Sequence, residues 1–231
     1  MPNYRGLKIP FISFGSVTSD DLFCDKEQEI FDFYSANKDR YKRALDIGAN
    51  IGVHSILTDR NGWQVRAFEP DVLHCAELMA NVNSHKASCV QINCCAVSDH
   101  NGNEIFTRVK GNTTGSHLKG DKNPYGELEE FEVQVVDCRP LFDWADFAKI
   151  DCEGHEAILL LTVTPEQAAK TDFMVEVGNE KNAELIYNHF QNLPTKLWAQ
   201  KNNWREVESM KDMPTHHSHG ALFIGREEPF K

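Results

Sequence analysis

Apolar and polar positions along the chain alternate between two rhythms, short apolar runs and longer stripes at helical spacing. The clearest cycle begins at Ala44-Leu45-Asp46-Ile47, an apolar run carrying an acid. A glycine-spaced turn follows, Gly48-x-Asn50-x-Gly52, and then Val53–Arg60, which reads as a helix. Residues 63–70 (Trp63-Gln64-Val65-Arg66-Ala67-Phe68-Glu69-Pro70) form a second run ending in an acid. Asp71 stands where a helix N-cap belongs. Leu73, Ala76, Leu78, Met79 and Val82 then give a helical stripe to about Ser84. Residues 90–97 predict a third strand, stopped by the turn cluster Ser98-Asp99-His100-Asn101-Gly102. Residues 147–151 and 172–178 predict a fourth and a fifth, each with acids at its end, and 182–190 a helix. Alternating strands and helices predict an α/β fold with a doubly wound, mostly parallel sheet.

Three stretches depart from that rhythm. Residues 103–109 and 130–137 alternate apolar and polar side chains, the pattern of half-buried strands. They predict a β-hairpin insertion, separated by a polar loop of about twenty residues, long enough to suggest function or mobility. In that loop Thr113, Thr114 and Ser116 are either solvated or in reach of a ligand. Residues 1–25 predict an irregular arm that either lies on the core or roofs a pocket, and 26–42 a helix. Residues 204–208 and 221–225 predict a closing strand pair. With no repeat or linker visible, the expectation is one domain over 1–231, with an N-terminal arm and helix at 1–43 and a core at 44–225.

Composition narrows the partners. The 231 residues carry a net charge of −11, and no long Lys/Arg cluster stands out. A phosphate-dominated nucleic-acid binder would need a basic face, so no nucleic-acid partner is expected. No apolar run approaches membrane-spanning length, and residues 1–12 lack the apolar core of a secretion signal. The expectation is a cytoplasmic protein with no membrane partner. Its seven cysteines then read as reduced thiols, several of them buried. Cys94 and Cys95 are adjacent in the third strand and face opposite ways. No C-x-x-C pair is present, so no zinc site is expected.

The glycine turn carries the chemistry. Strand, tight glycine turn and helix open a nucleotide-binding α/β unit. A dinucleotide fingerprint, G-x-G-x-x-G, rests pyrophosphate on bare amides and a helix N-terminus. Here Asn50 holds the second glycine position, and Asp46 sits two residues before Gly48. A carboxylate there repels phosphate and suits a cation. S-adenosylmethionine (SAM) offers a sulfonium, an ammonium and a ribose, and no phosphate. Glu69, at the end of the second strand, is placed to grip ribose hydroxyls, a feature shared with NAD enzymes. Candidate cofactor residues are Asp46, Gly48, Asn50, Gly52, His54, Ser55, Glu69, Pro70 and Asp151. Ala96 and Val97, at the end of the third strand, either flank an adenine or form a plain buried strand end.

Ligands of an open parallel sheet bind beyond the carboxyl ends of its strands. Asp46, Glu69, Asp151, Glu153 and Glu176 all fall there. If the last strand runs antiparallel, its start lies at the same edge, and Thr215-His216-His217-Ser218-His219-Gly220 overhangs it. That cluster is either functional or an exposed histidine-rich turn. Four stretches now carry a family resemblance: Leu45-Asp46-Ile47-Gly48-Ala49-Asn50-Ile51-Gly52, Ala67-Phe68-Glu69-Pro70, Lys149-Ile150-Asp151-Cys152-Glu153-Gly154-His155-Glu156 and Met174-Val175-Glu176-Val177. The chain resembles the FkbM-type family of class I SAM-dependent methyltransferases. The resemblance implies a Rossmann-like, seven-stranded sheet with a reversed last strand. It also implies O-methylation of a hydroxyl on a small-molecule or sugar acceptor, with S-adenosylhomocysteine (SAH) as product. His155, where the family often has a small residue, and the histidine cluster depart from the family pattern.

Methyl transfer is an in-line displacement, and a hydroxyl barely ionised at neutral pH needs help from a base or a metal. The candidate bases are Asp151 and Glu153, with His217 and His219 as rivals. Asp151 and Glu176 are weak candidates for a divalent metal, which is not favoured. An NAD(P)-dependent oxidoreductase and a non-catalytic SAM-binding module are the alternatives.

Overall fold

A computed structural model describes residues 2–230; the chain-end residues Met1 and Lys231 of the expected domain lie outside them. The main sheet is built from β1 (Arg43–Ile47), β2 (Gln64–Phe68), β3 (Val90–Asn93), β8 (Phe147–Ile150), β9 (Asp172–Glu176), β10 (Lys196–Ala199), β11 (Arg205–Glu206) and β12 (Ala221–Gly225). A second sheet holds β4 (Ala96–Ser98), β5 (Gly102–Val109), β6 (His117–Leu118) and β7 (Leu128–Asp137). The helices are α1 (Asp25–Ala36), α2 (Val53–Arg60), α3 (Val72–Ser84), α4 (Arg139–Trp144), α5 (Glu156–Leu160), α6 (Pro165–Ala168) and α7 (Glu180–Phe190).

The main sheet runs in the order β11-β10-β12-β9-β8-β1-β2-β3. β3, β2, β1, β8 and β9 are mutually parallel, and β12 enters antiparallel between β9 and β10. This is the expected doubly wound sheet with a reversed last strand, extended to eight strands by the short edge strand β11. Side chains of β1, β8 and β9 alternate between two cores. Leu45, Ile47, Ala148, Ile150, Phe173 and Val175 pack against residues of α4 to α7. Ala44, Phe147 and Met174 pack against residues of α1 to α3.

Several expected elements shift. The third strand breaks at Cys94-Cys95, so that β3 ends the main sheet and β4 joins β7 in the second. The break turns Cys95 into the core and pairs Cys94 with Cys75 of α3 in a disulfide, Cα atoms 6.0 Å apart. The uniformly reduced thiols expected of a cytoplasmic protein are therefore not found; Cys24, Cys89, Cys95, Cys138 and Cys152 are free. Among the described residues no helix is long and apolar enough to cross a membrane. The closing pair is β10 with β12; residues 204–208 supply only β11, on the far side of β10. The β-hairpin insertion is present as β5 and β7, but its loop is partly ordered by β6 and a turn of 3-10 helix, Thr113–Gly115.

One ion pair ties the insertion to the main fold. Asp71 caps α3 by accepting from the Leu73 amide at 2.9 Å. The same carboxylate receives Arg108 of β5 at both oxygens, 2.7 and 2.6 Å, and both residues are buried. Removing one partner of such a pair strands a charge, at about 3–5 kcal/mol. Arg108→Met is expected to destabilise the protein by about that much in urea unfolding; a loss below about 1 kcal/mol contradicts the clamp.

Candidate active site

Strand parity builds the site. Asp46 alternates with Leu45 and Ile47, so it shares the side of Ala44, the side that α1 covers. By the same count Lys149 follows Phe147 and Glu176 follows Met174. Asp46 lies directly opposite Lys149 in the β1–β8 register. Charged groups of three neighbouring strands thus meet on one face at the carboxyl edge. α1 closes over them with Ile30, Phe31 and Tyr34 buried, and Glu27 stands on that same stripe, three, four and seven residues earlier.

A cavity of about 340 Å³ opens at this edge. The glycine turn, the ends of β2, β8 and β9, the arm and the insertion all contribute to its wall. A second cavity of about 270 Å³ adjoins it, between α1, β9 and the turn before β12. Glu27, Lys149, Asp151, Glu176 and His217 line both.

The turn is shaped for close approach. Gly48 has φ +82°, and a Cβ there would meet the Asp151 carbonyl oxygen at 1.8 Å. Asn50 holds φ +50°, a left-handed conformation that asparagine tolerates better than most residues. Its amide donates to Glu69 Oε2 at 2.8 Å, and the Asp71 amide donates to Glu69 Oε1 at 2.9 Å. Each carboxylate oxygen keeps a second lone-pair site, so Glu69 remains able to accept from a ligand hydroxyl.

The structure gathers most of the predicted residues. Gly48, Asn50, His54, Glu69, Pro70, Ala96, Val97, Asp151, Glu153, Glu176 and His217 line the first cavity. Four others do not reach it. Gly52 packs behind the turn against Leu78. Ser55 is fully buried and donates to Asp46 Oδ2 at 2.5 Å, so Asp46 and Ser55 form a support under the turn, since the carboxylate follows the inner face of β1. His219 turns away, its Nδ1 accepting from the Thr215 amide at 3.2 Å, because the histidine stretch curls into a short 3-10 turn. His155 lines the wall and is held between Ser98 Oγ at 3.0 Å and Asp121 at 2.9 Å.

Two open alternatives resolve by position. The arm does both: Leu7, Phe14 and Phe23 pack into the core, while Val17, Asp21 and Leu22 roof the pocket; Thr113, Thr114 and Ser116 of the insertion line it. Thr113 Oγ1 lies 2.9 Å from His74 Nε2, and its amide donates to Phe14 of the arm. Sequence reading missed Glu27, Lys149 and His74 as site residues. The signal for Glu27 was present: an acid on the otherwise apolar face of a helix. Lys149 carried one as well, as a charged residue inside a buried strand.

Electrostatics differ sharply between neighbours. Lys149 Nζ lies 3.0 Å from Asp151 Oδ2; burial opposes its charge, but Asp151, Asp46 and Glu27 hold the ammonium protonated. Glu153 pairs with Lys122 of the insertion loop, while burial raises its pKa. Glu176 makes no hydrogen bond or ion pair among the described residues, and burial with the nearby Asp151 and Glu153 charges pushes its pKa well up. Burial is the largest influence on Glu27 and raises it, but His54 and Lys149 together lower it and the net direction is down. Among the described residues no group of three or more His, Cys, Asp or Glu is placed to hold a metal ion; the Asp151 carboxylate is directed to Lys149 instead.

No family model matches the chain, and no curated protein matches its sequence. Among solved structures it is similar to the O-methyltransferase TomG from Streptomyces achromogenes in complex with SAM, at 9% identity and TM-score 0.48, over 88% of this chain and 81% of that one. It is also similar to the precorrin-6y C5,15-methyltransferase from Geobacter metallireducens, at 11% identity and TM-score 0.46, over 85% of each chain. A third is the O-methyltransferase from Bacillus cereus in complex with SAH, at 9% identity and TM-score 0.44, over 85% of this chain and 79% of that one. At these values the likeness says nothing of chemistry. Strand order and the reversed β12 are features of this chain itself. The fold is Rossmann-like, of the class I methyltransferase type.

Burial pushes Glu69 up to about 8 and Glu156 up to about 7, against backbone amide bonds that lower both. Between the ordinary glutamate value of 4.5 and 8 the folded state therefore binds more protons than the unfolded one, and stability falls as pH rises through that window. Unfolding followed at pH 5, 6, 7 and 8 is expected to show a shallower decline in Glu69→Gln than in the wild type. Equal slopes contradict the assignment.

Proposed function

We propose that the chain is a SAM-dependent methyltransferase acting on a hydroxyl of a small-molecule or sugar acceptor. The observation that supports this best is the charge of the first cavity. Asp21, Glu27, Glu69, Asp151, Glu153 and Glu176 line it, and Lys149 is the one lysine or arginine among its described lining residues. Lys149 is already answered by Asp151. A pyrophosphate in this crevice would face acids and no unanswered cation, whereas a sulfonium or an ammonium is attracted by those that are ionised and favours the ionised forms of Glu69 and Glu176.

The residues present fit such a cofactor. Asn50, which lines the cavity, has its Oδ1 buried and without a partner among the described residues, and the Gly48 turn leaves the strand end bare of side chain. Glu69 would accept from the ribose hydroxyls, and Ala96 and Val97 would flank the adenine. When bound, the cofactor supplies an electrophilic methyl group. The protein's part is alignment, worth up to roughly 7–11 kcal/mol in favourable cases, together with exclusion of water by the arm and the insertion. The adjoining cavity, of about 270 Å³, is sized for a small acceptor. An acid-lined crevice in an acidic chain does not favour a nucleic-acid partner.

The expected bases stand in ion pairs: Asp151 with Lys149, Glu153 with Lys122. His217 has its pKa lowered by burial first and by the charges of His216, Lys26 and Lys122, so it is neutral near pH 7 and can share the second cavity with an acceptor.

In a thermal-shift titration SAH is expected to raise Tm and NADH to leave it unchanged. Glu69→Ala should weaken SAH binding by about 10- to 100-fold, the scale of two lost hydrogen bonds. Stabilisation by NADH alone overturns the reading in favour of an oxidoreductase; stabilisation by neither ligand removes its basis.

A further inference from the structure

Glu27 occupies a position that neither the fold nor the strand-end acids account for. It comes from α1, outside the sheet, yet its carboxylate lines both cavities at their junction. A buried line of side chains backs it. Tyr34 Oη and His54 Nδ1 are 2.9 Å apart, and His54 Nε2 is 3.0 Å from Glu27 Oε2. Burial, with the charges of Asp46, Glu27 and Asp151, keeps Tyr34 a phenol, which has a proton to donate to Nδ1. His54 Nε2 is the ring nitrogen turned toward Glu27. Glu27 Oε2 has no hydrogen-bond partner among the described residues.

We propose that Glu27 is the carboxylate that faces the transferring methyl and accepts the acceptor's proton, with His54 and Tyr34 as its positioning residues. The inference rests on the methyltransferase reading above. In the step, the acceptor oxygen forms a bond to the methyl carbon, the carbon–sulfur bond breaks, and its electron pair stays on sulfur, which becomes a neutral thioether. The hydroxyl proton passes to the Glu27 carboxylate. The hydroxyl grows far more acidic as the carbon–oxygen bond forms, so a weakly basic, ionised carboxylate suffices. Its junction neighbours are less suited. Asp151 is bound to Lys149, Glu176 has no cation of its own, and Lys149 is a charged donor suited to hold the acceptor oxygen. Glu153 does not line the second cavity.

Calorimetric binding of two probes tests this without knowledge of the acceptor. SAH is neutral at sulfur; sinefungin carries a protonated amine where the methylsulfonium stands. The wild type is expected to prefer sinefungin. Glu27→Gln should reduce the sinefungin/SAH preference at least fivefold while the Kd for SAH moves less than twofold, which also shows that the variant is folded. Glu27→Asp should recover part of the preference. His54→Gln, which keeps a donor near the Nε2 position, should retain more of it than His54→Ala. The proposal is overturned if Glu27→Gln leaves the ratio unchanged, if Glu176→Gln and not Glu27→Gln abolishes it, or if both probes weaken together. Wild-type protein that binds neither probe removes the methyltransferase reading and this inference with it.

Discussion

Carboxylates gathered at the carboxyl edge of a buried parallel sheet repel one another, and the structure must answer that repulsion. Strand parity forces the arrangement: once Leu45, Ile47, Ala148 and Ile150 commit to the core shared with α4 to α7, Asp46 and Lys149 must face α1. Each acid is then handled differently. Asp46 takes a proton donor from Ser55, Asp151 takes the lysine ammonium, and Glu69 takes two backbone amides. Glu176 and Glu27 are left facing open space. Under the proposed function, a ligand carrying positive charge completes such a crevice.

The rest of the wall comes from segments outside the sheet. The insertion is fixed by Arg108 to the cap of α3, and it returns three contacts to the pocket: Thr113 with His74, Lys122 with Glu153 and Asp121 with His155. The arm is laced to the insertion through backbone bonds between Ser16 and Gly111 and between Phe14 and Thr113. The outer walls of the crevice are therefore set by one interlocked unit. Enclosure of this kind strengthens every charge interaction inside by lowering the local dielectric.

Much of this was legible in the chain. The alternation of runs and stripes located the parallel strands and most of the helices, and the Gly48-x-Asn50-x-Gly52 turn pointed to the crevice. What escaped were features set by tertiary contact. The break at Cys94-Cys95 looks like a continuous strand because Val90 and Ile92 before it and Ala96 and Val97 after it are all apolar, with no Gly or Pro between them. β10 was passed over because Lys196-Leu197-Trp198-Ala199 is too short to show a period. Ser55 and Asp46 read as ligand contacts, since spacing alone does not say whether a polar group near a turn faces the cavity or supports its wall. His219 failed for a similar reason: a two-residue difference in a tight turn reverses direction, so His217 enters the pocket and His219 leaves it. Glu27 could have been found by asking why an acid sits on an apolar helix face.

The most direct measurement is a crystal structure of the protein soaked with SAH. The ribose hydroxyls should lie within hydrogen-bond distance of Glu69, and the sulfur should point across the junction between Glu27 and Glu176. A soaked crystal with that crevice empty, or one that instead takes up a dinucleotide with its pyrophosphate on the Gly48 turn, would contradict the cation-seating crevice on which the functional reading rests.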